Sequence, residues 1–525
     1  MNAGHPTLKP PEALIKELWS RVPGEIRLTF FASALLGLAV HCYMFVNKLP
    51  NHDDILYLFS MDYGTASGRW LLPALSPLDG PFSTPWLIGL LSVLFLAGTV
   101  CFTVSLFRIR RPLACVATAA VMVSFPSVTG TFAYMFTAGP YFFSLMLAAL
   151  GAYLAVRSRW GTLSGAVVIA LSMGIYQSYF EVSAVLMVGT LLLETLDGDR
   201  SFRELFRRGL RLLGTLAAAM ALYLLAVHIT TRRVPLVDYM GLSSMGRLSL
   251  EELPQLIAQS YRKYASVFFQ NQYLFHFGFL PYAFLLTALC CAALGLLAVR
   301  KRRLGPARAA LALGLAVLYP LAGNLIYLMA PKGEVHILMV YGLVFILVAP
   351  IALAEYADLG LEADSPRAVP TAARWIVLVT MILTAFSYAV TANSAYLKMD
   401  LSLRQCTAYS IRLLDKIESC EGYRQGMPVV LLGSKTREAA LSPTPELDGV
   451  RINGVFDFAR LRTSYTYGLF LQYYLGFTGE VCLEGSERAL AMAELDPVRA
   501  MPLYPEAGSV RVVEGAVVVK LNERP

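Results

Sequence analysis

The stretch RLTFFASALLGLAVHCYMFVNKLPNHDD, Arg27 to Asp54, decides how the rest of the chain is read. From Leu28 to Val46 it contains no Asp, Glu, Lys or Arg. A helix of that length rises about 1.5 Å per residue and crosses the roughly 30 Å hydrocarbon core of a bilayer. Lys48 and the run Asn51-His52-Asp53-Asp54 follow at once, so the segment reads as a membrane span with a charged exit. Working outward, similar apolar stretches recur near 86–107, 112–127, 139–156, 162–176, 179–195, 211–228, 278–299, 309–328, 336–353 and 375–392. With 27–46 they make about eleven spans. Composition agrees: 56% of the 525 residues are hydrophobic and only 15% are charged, with mean hydropathy +0.57. A soluble chain carries about 25% charged residues.

Lys and Arg concentrate in cytoplasmic loops, and that bias sets orientation. Arg108, Arg110 and Arg111 follow the second span, Arg157 and Arg159 the fourth, and Arg200, Arg203, Arg207, Arg208 and Arg211 the sixth. Arg300 to Arg303 and Arg308 follow the eighth. All fall on one side if the N-terminus is inside, which leaves the C-terminus outside. Residues 1–26 read as a cytoplasmic tail without a signal peptide, carrying a short amphipathic helix near 12–19. Residues 27–392 form the transmembrane part, with an outer loop at 47–85 and a surface-lying helix at 248–269. Residues 393–525 read as a small outer α/β domain: a helix at 402–418, a strand at 428–432, and a hairpin of 509–513 and 516–521 turned by Glu514-Gly515. In an oxidising compartment Cys420 and Cys482 are the expected disulfide, with Cys406 as the alternative partner. The net charge of +8 sits largely in inner loops, so it calls for anionic lipid rather than nucleic acid.

No soluble-enzyme motif is present. Gly433-Ser434-Lys435-Thr436 ends like a P-loop but lacks the upstream glycine, and no His-Glu-x-x-His or Cys-x-x-Cys pair occurs. The chemistry-bearing features lie at the outer ends of helices. Asp53 and Asp54 are adjacent carboxylates at a membrane exit, where they repel each other and cost desolvation energy if partly enclosed. The plain alternative is that Asn51 or Asp53 caps the next helix. Ser67-Gly68-Arg69-Trp70 puts an arginine beside a tryptophan, which by itself reads as an interfacial anchor. Tyr176-Gln177-Ser178-Tyr179 with Glu181 interrupts an apolar run, and groups at such depth face a bundle interior or a cavity. Arg232 and Arg233 open the large outer loop, while Lys332, Glu334 and His336 fill a short one.

Asn51-His52-Asp53-Asp54, then Ser67-Gly68-Arg69-Trp70, then Tyr176-Gln177-Ser178-Tyr179 resemble the bacterial glucosyltransferase family that decorates O-antigen in serotype conversion. The ending from Met501-Pro502-Leu503-Tyr504-Pro505 through Gly515-Ala516-Val517-Val518-Val519-Lys520-Leu521 is similar to that family's close. The resemblance implies a mainly α, GT-C-like membrane glycosyltransferase using a polyprenyl-phosphate sugar donor. It implies Asp53 and Asp54 as catalytic acid groups, and substrate roles for Arg69, Tyr176 and Gln177. The expected reaction is inverting transfer of a hexose, with glucose the expected sugar, to a cell-envelope glycan at the outer face of the bacterial inner membrane. Glu181, Arg232, Arg233, Lys332 and His336 complete the expected substrate contacts, with the cations gripping phosphate through charge-assisted hydrogen bonds. The second carboxylate orients the first, binds a sugar hydroxyl, or joins it in holding Mg or Mn. The competing readings are a lipid-linked sugar flippase or exporter, and an oligosaccharide polymerase or ligase. Scarce midplane charge and the lack of a repeat weigh against a transporter.

Overall fold

The apolar stretches fold as helices. The computed structural model describes residues 10–59, 64–232, 251–270, 276–331, 333–359, 368–433 and 444–522. Seven described helices are long and apolar enough to cross a membrane: Gly24–Val46, Pro85–Phe107, Met135–Arg157, Gln177–Asp197, Phe202–Thr231, Leu280–Lys301 and Pro370–Glu418. Pro112–Ser124 and Pro126–Phe132 form one further span bent by 44°. The bend falls where Pro126 denies the helix a backbone donor and restrains Phe125. Shorter apolar helices occur at Gly161–Ile175, Pro306–Ala322 and Tyr341–Tyr356. Each stretch picked out by hydropathy falls on one of these helices. The chain is a multi-pass, mainly α membrane protein.

Small residues and buried hydrogen bonds pack the bundle, as expected where lipid offers no hydrophobic drive between helices. A Cβ on Gly151 would meet the Ile169 side chain at 2.5 Å, and one on Gly165 would meet the Gly151 carbonyl at 2.9 Å. Helices Met135–Arg157 and Gly161–Ile175 therefore touch backbone to backbone. His41 bonds the Tyr396 hydroxyl at 2.7 Å and the Val123 carbonyl at 2.9 Å, joining the first span to the last and to the bent one. The arginines gather at one end of the bundle. Asp197 pairs with Arg108 and Arg302, each at 3.1 Å, and Glu355 accepts the N–H groups of Arg110 and Arg111 at 2.7 and 2.9 Å.

At the other end lies the sheet formed by the last hundred residues. β1 (Val429–Leu432), β2 (Val481–Cys482), β3 (Val510–Val513) and β4 (Ala516–Lys520) are ordered β2-β1-β4-β3. β1 runs parallel to β2 and β4, and β3–β4 is a hairpin with Val510 opposite Val519. Its turn residues Glu514 and Gly515 have φ of 45° and 75°, the left-handed pair that a two-residue hairpin turn requires. Helix Ala368–Glu418 carries the chain unbroken from the bundle to this sheet. Between Pro370 and Gly422 no Pro or Gly interrupts it. The Cys420–Cys482 pairing does not form: Cys482 is on edge strand β2, whereas the Cys420 thiol lies 3.5 Å from the Val510 carbonyl on the opposite edge strand, β3. Strands spaced about 4.8 Å apart put those thiols far beyond disulfide reach. All eight cysteines are free.

Candidate active site

The loop after the first span folds over the helix ends opposite the arginine cluster. Asn51 caps helix His52–Leu56: its side chain accepts the Asp54 N–H at 2.9 Å, and the Asp54 carboxylate accepts the Asn51 N–H at 3.4 Å. This reciprocal capping box fixes where both aspartates point. Asp54 faces inward and is fully buried. It accepts the Phe136 N–H at 3.1 Å and lies 3.6 Å from the Lys48 ammonium. Burial raises the Asp54 carboxyl above its ordinary range, opposed by Lys48 and by the N–H groups of Phe136 and Asn51.

Asp53 faces the other way, into a cavity of about 580 Å³. Its side chain keeps 31% of its surface accessible, with its Oδ1 3.6 Å from His52 Nε2. The Tyr465 hydroxyl donates to the same oxygen at 3.5 Å. Burial, reinforced by the Asp53 charge, pushes the Tyr465 hydroxyl up to about 12, so it stays a neutral donor. His52 is lowered by burial, against the pull of Asp53 and with Arg460 adding to the lowering.

Arg69 enters the same cavity from the outer loop. It donates to the Tyr141 hydroxyl at 2.8 Å, and its guanidinium lies 5.7 Å from the Tyr141 ring and 5.2 Å from that of Tyr176. Those two tyrosines stack at 4.1 Å. Trp70 beside it packs on Gly174, where a Cβ would come within 2.5 Å of the indole. The pair is thus docked on the bundle, with the arginine turned to the cavity and the tryptophan turned to protein. Gln177 holds the loop in place by donating to the Ser67 carbonyl at 2.8 Å.

His336 lines a further wall. Asn453 accepts the Ile337 N–H through Oδ1 at 3.3 Å, which turns its Nδ2 toward His336 Nδ1 at 2.8 Å. An amide donor on Nδ1 fixes the tautomer and leaves Nε2–H as the ring's donor. Burial lowers His336, against the pull of Glu334, so it is neutral at pH 7.

Four of the expected residues, Asp53, Arg69, Tyr176 and His336, therefore share one cavity. Others do not. Asp54 supports the floor. Glu181 lies deeper and accepts the Gly342 N–H at 2.9 Å, tying two helices together. Arg232 is exposed at the end of helix Phe202–Thr231, beside His228 at 3.3 Å. Arg233 and Lys332 lie outside the described residues. A divalent ion shared by Asp53 and Asp54 would need both carboxylates to face one point, and they diverge. Among the described residues no group of three or more His, Cys, Asp or Glu converges on a metal position.

Sequence reasoning missed the far wall, made by Asn453, Phe456 and Arg460. Gly454, at φ 88°, brings this segment onto the bundle, where a Cβ would strike the Ala133 side chain at 2.7 Å. The signal in the sequence is the cluster Phe456-Asp457-Phe458-Ala459-Arg460, which interleaves aromatic and charged residues.

A family model described as Glucosyl transferase GtrII matches residues 42–347. The matched region holds the motifs at 51–54, 67–70 and 176–179 that carried the resemblance, while the ending at 501–521 lies beyond it. No curated protein and no solved structure matches the chain. The chain belongs to this glucosyl transferase family.

Proposed function

We propose that this member of the glucosyl transferase family moves glucose from a polyprenyl-phosphate donor to a cell-envelope glycan such as O-antigen. The reaction takes place at the outer face of the bacterial inner membrane. The N-terminus is then cytoplasmic, and residues 393–525 form an outer domain over the site. The observation that carries the reading is that Asp53 and Arg69 open onto one cavity while Asp54 is withdrawn beneath it. A base and a phosphate clamp are thereby presented together.

In the transfer, an acceptor hydroxyl attacks the anomeric carbon and gives its proton to Asp53. The bond from that carbon to the phosphate oxygen breaks, and the electron pair leaves with the lipid phosphate. Attack opposite the leaving group inverts the anomeric centre. Arg69 suits the leaving phosphate because its planar fork donates parallel hydrogen bonds to two oxygens. Contact with Tyr141 and Tyr176 keeps that fork in place. His336 adds a neutral N–H donor, and the Tyr465 hydroxyl and His52 orient Asp53.

The test is transfer of radiolabelled glucose from synthetic polyprenyl-phosphate glucose to lipopolysaccharide in membranes containing the chain. Label in the glycan that depends on Asp53 is expected. Uptake from a nucleotide-sugar donor without any lipid-linked sugar would overturn the reading.

A further inference from the structure

A second cavity of about 350 Å³ adjoins the one that holds Asp53, and Asn453, Phe456 and Arg460 line both. We infer that this second cavity is the acceptor's site and that it takes an uncharged glycan chain; the inference rests on the transfer reaction proposed above. Position is the first argument. The Phe456 ring lies 5.4 Å from His52, which lies 3.6 Å from Asp53. A sugar lodged over the shared wall therefore extends its hydroxyl toward the base, and the donor occupies the other side.

Chemistry is the second argument. A sugar offers an apolar C–H face and a rim of hydroxyls. Phe456 supplies a ring, with the Arg460 guanidinium 5.5 Å from its centre. Asn453, Asp448, Asp457 and Arg451 supply planar donors and acceptors around it, the groups that bind hydroxyls with defined direction. The near balance of charge gives a polyanion little hold. Lys398 is paired with Asp457 at 3.5 Å, and with Asp448 beside Arg451 and Arg460 the lining carries two carboxylates to three cations. The wall is also fixed, because Ser402 donates to the Phe456 carbonyl at 2.8 Å and anchors it to helix Ala368–Glu418.

The experiment uses the full chain in nanodiscs with lipid-free O-polysaccharide from the source bacterium as probe. Arg451→Ala and Asp448→Ala change groups that line the second cavity alone. Each removes hydrogen bonds worth about 0.5–1.5 kcal/mol, so acceptor KM should rise roughly 2- to 10-fold with donor KM unchanged. Saturation-transfer NMR without donor should show the polysaccharide bound to wild type and weakened in both variants. This arm stands even if no transfer is detected, so failure of the reaction and failure of the site are told apart. Unchanged acceptor KM and unchanged binding overturn the inference. So does an equal rise in donor KM, or binding that collapses as salt is raised, which would mark a charged ligand.

Discussion

Replacing the two adjacent aspartates by asparagine, one at a time, separates chemistry from architecture. Asp54 is fully buried and sits 3.6 Å from Lys48, whose side chain is only 24% exposed. Asp54→Asn removes the counter-charge and turns amide hydrogens toward the N–H groups that the carboxylate accepted. Removing one partner of a buried pair costs about 3–5 kcal/mol, and the partial opening at Lys48 puts this case near ~3. Asp53 is held by two long contacts, to His52 at 3.6 Å and Tyr465 at 3.5 Å. Its replacement should shift stability by no more than about 0.5 kcal/mol. As the proposed general base, however, Asp53 should carry roughly 10²–10⁴-fold in rate. That is about 2.7–5.5 kcal/mol of barrier.

The assay is glucose transfer at matched amounts of folded protein, alongside the thermal midpoint of each purified variant. Asp53→Asn should unfold like wild type and lose transfer, whereas Asp54→Asn should unfold earlier. Adding Lys48→Met to Asp54→Asn should recover much of the midpoint, because an uncharged pair leaves no stranded ammonium. Near-normal turnover in Asp53→Asn would refute the catalytic assignment. Loss of transfer in Asp54→Asn at an unchanged midpoint would exchange the two roles.

Three further outcomes are expected. Arg69→Lys replaces a fork by a point charge and should lower kcat/KM for the lipid donor by roughly 10- to 100-fold, the worth of one to two charge-assisted hydrogen bonds; unaltered kinetics in Arg69→Ala would leave it a mere anchor. His52 and His336 are both held below the ordinary imidazole range by burial, while the unfolded chain protonates them near pH 6.5 (about the free value). The unfolded state then binds more protons, so stability is fully present above about pH 6.5 and is lost as pH falls through the lowered folded values; the double variant His52→Gln/His336→Gln should flatten that slope in thermal melts, and an unchanged slope would count against it. A periplasm-dependent reporter should be active at the C-terminus and silent after Arg303; activity at both would break the proposed orientation.

How much of this was legible in the sequence depended on how local the cause was. Spans were readable because an apolar run and its helix are the same residues. The hairpin was readable because Glu514-Gly515 must adopt positive φ between two apolar strands. The division of labour between Asp53 and Asp54 was not, since it is set by the Phe136 N–H and Lys48, groups that approach only in the folded chain. Capping and catalysis had looked like rival readings of the pair. The capping box instead takes Asn51 and Asp54, and by doing so points Asp53 outward. The disulfide guess failed for a similar reason: sheet order, not spacing, separates Cys420 from Cys482.

The extent of the family match bears on the same division. Residues 42–347 include Asp53, Arg69, Tyr176 and His336, whereas Asn453, Phe456, Arg460 and Tyr465 lie beyond it. In the proposed reaction the former meet the donor and the proton, and the latter face the acceptor. In that reaction the donor contacts fall within the matched region, and the wall that would face the acceptor is built on a separate stretch of chain. Its fastenings to the site include Gly454 against Ala133, Asn453 to His336 and Ile337, Phe456 beside His52, Tyr465 to Asp53, and Ser402 and Lys398 to the segment 456–457. Substitution between those points should alter the acceptor side of the proposed reaction without disturbing the capping box that aims Asp53.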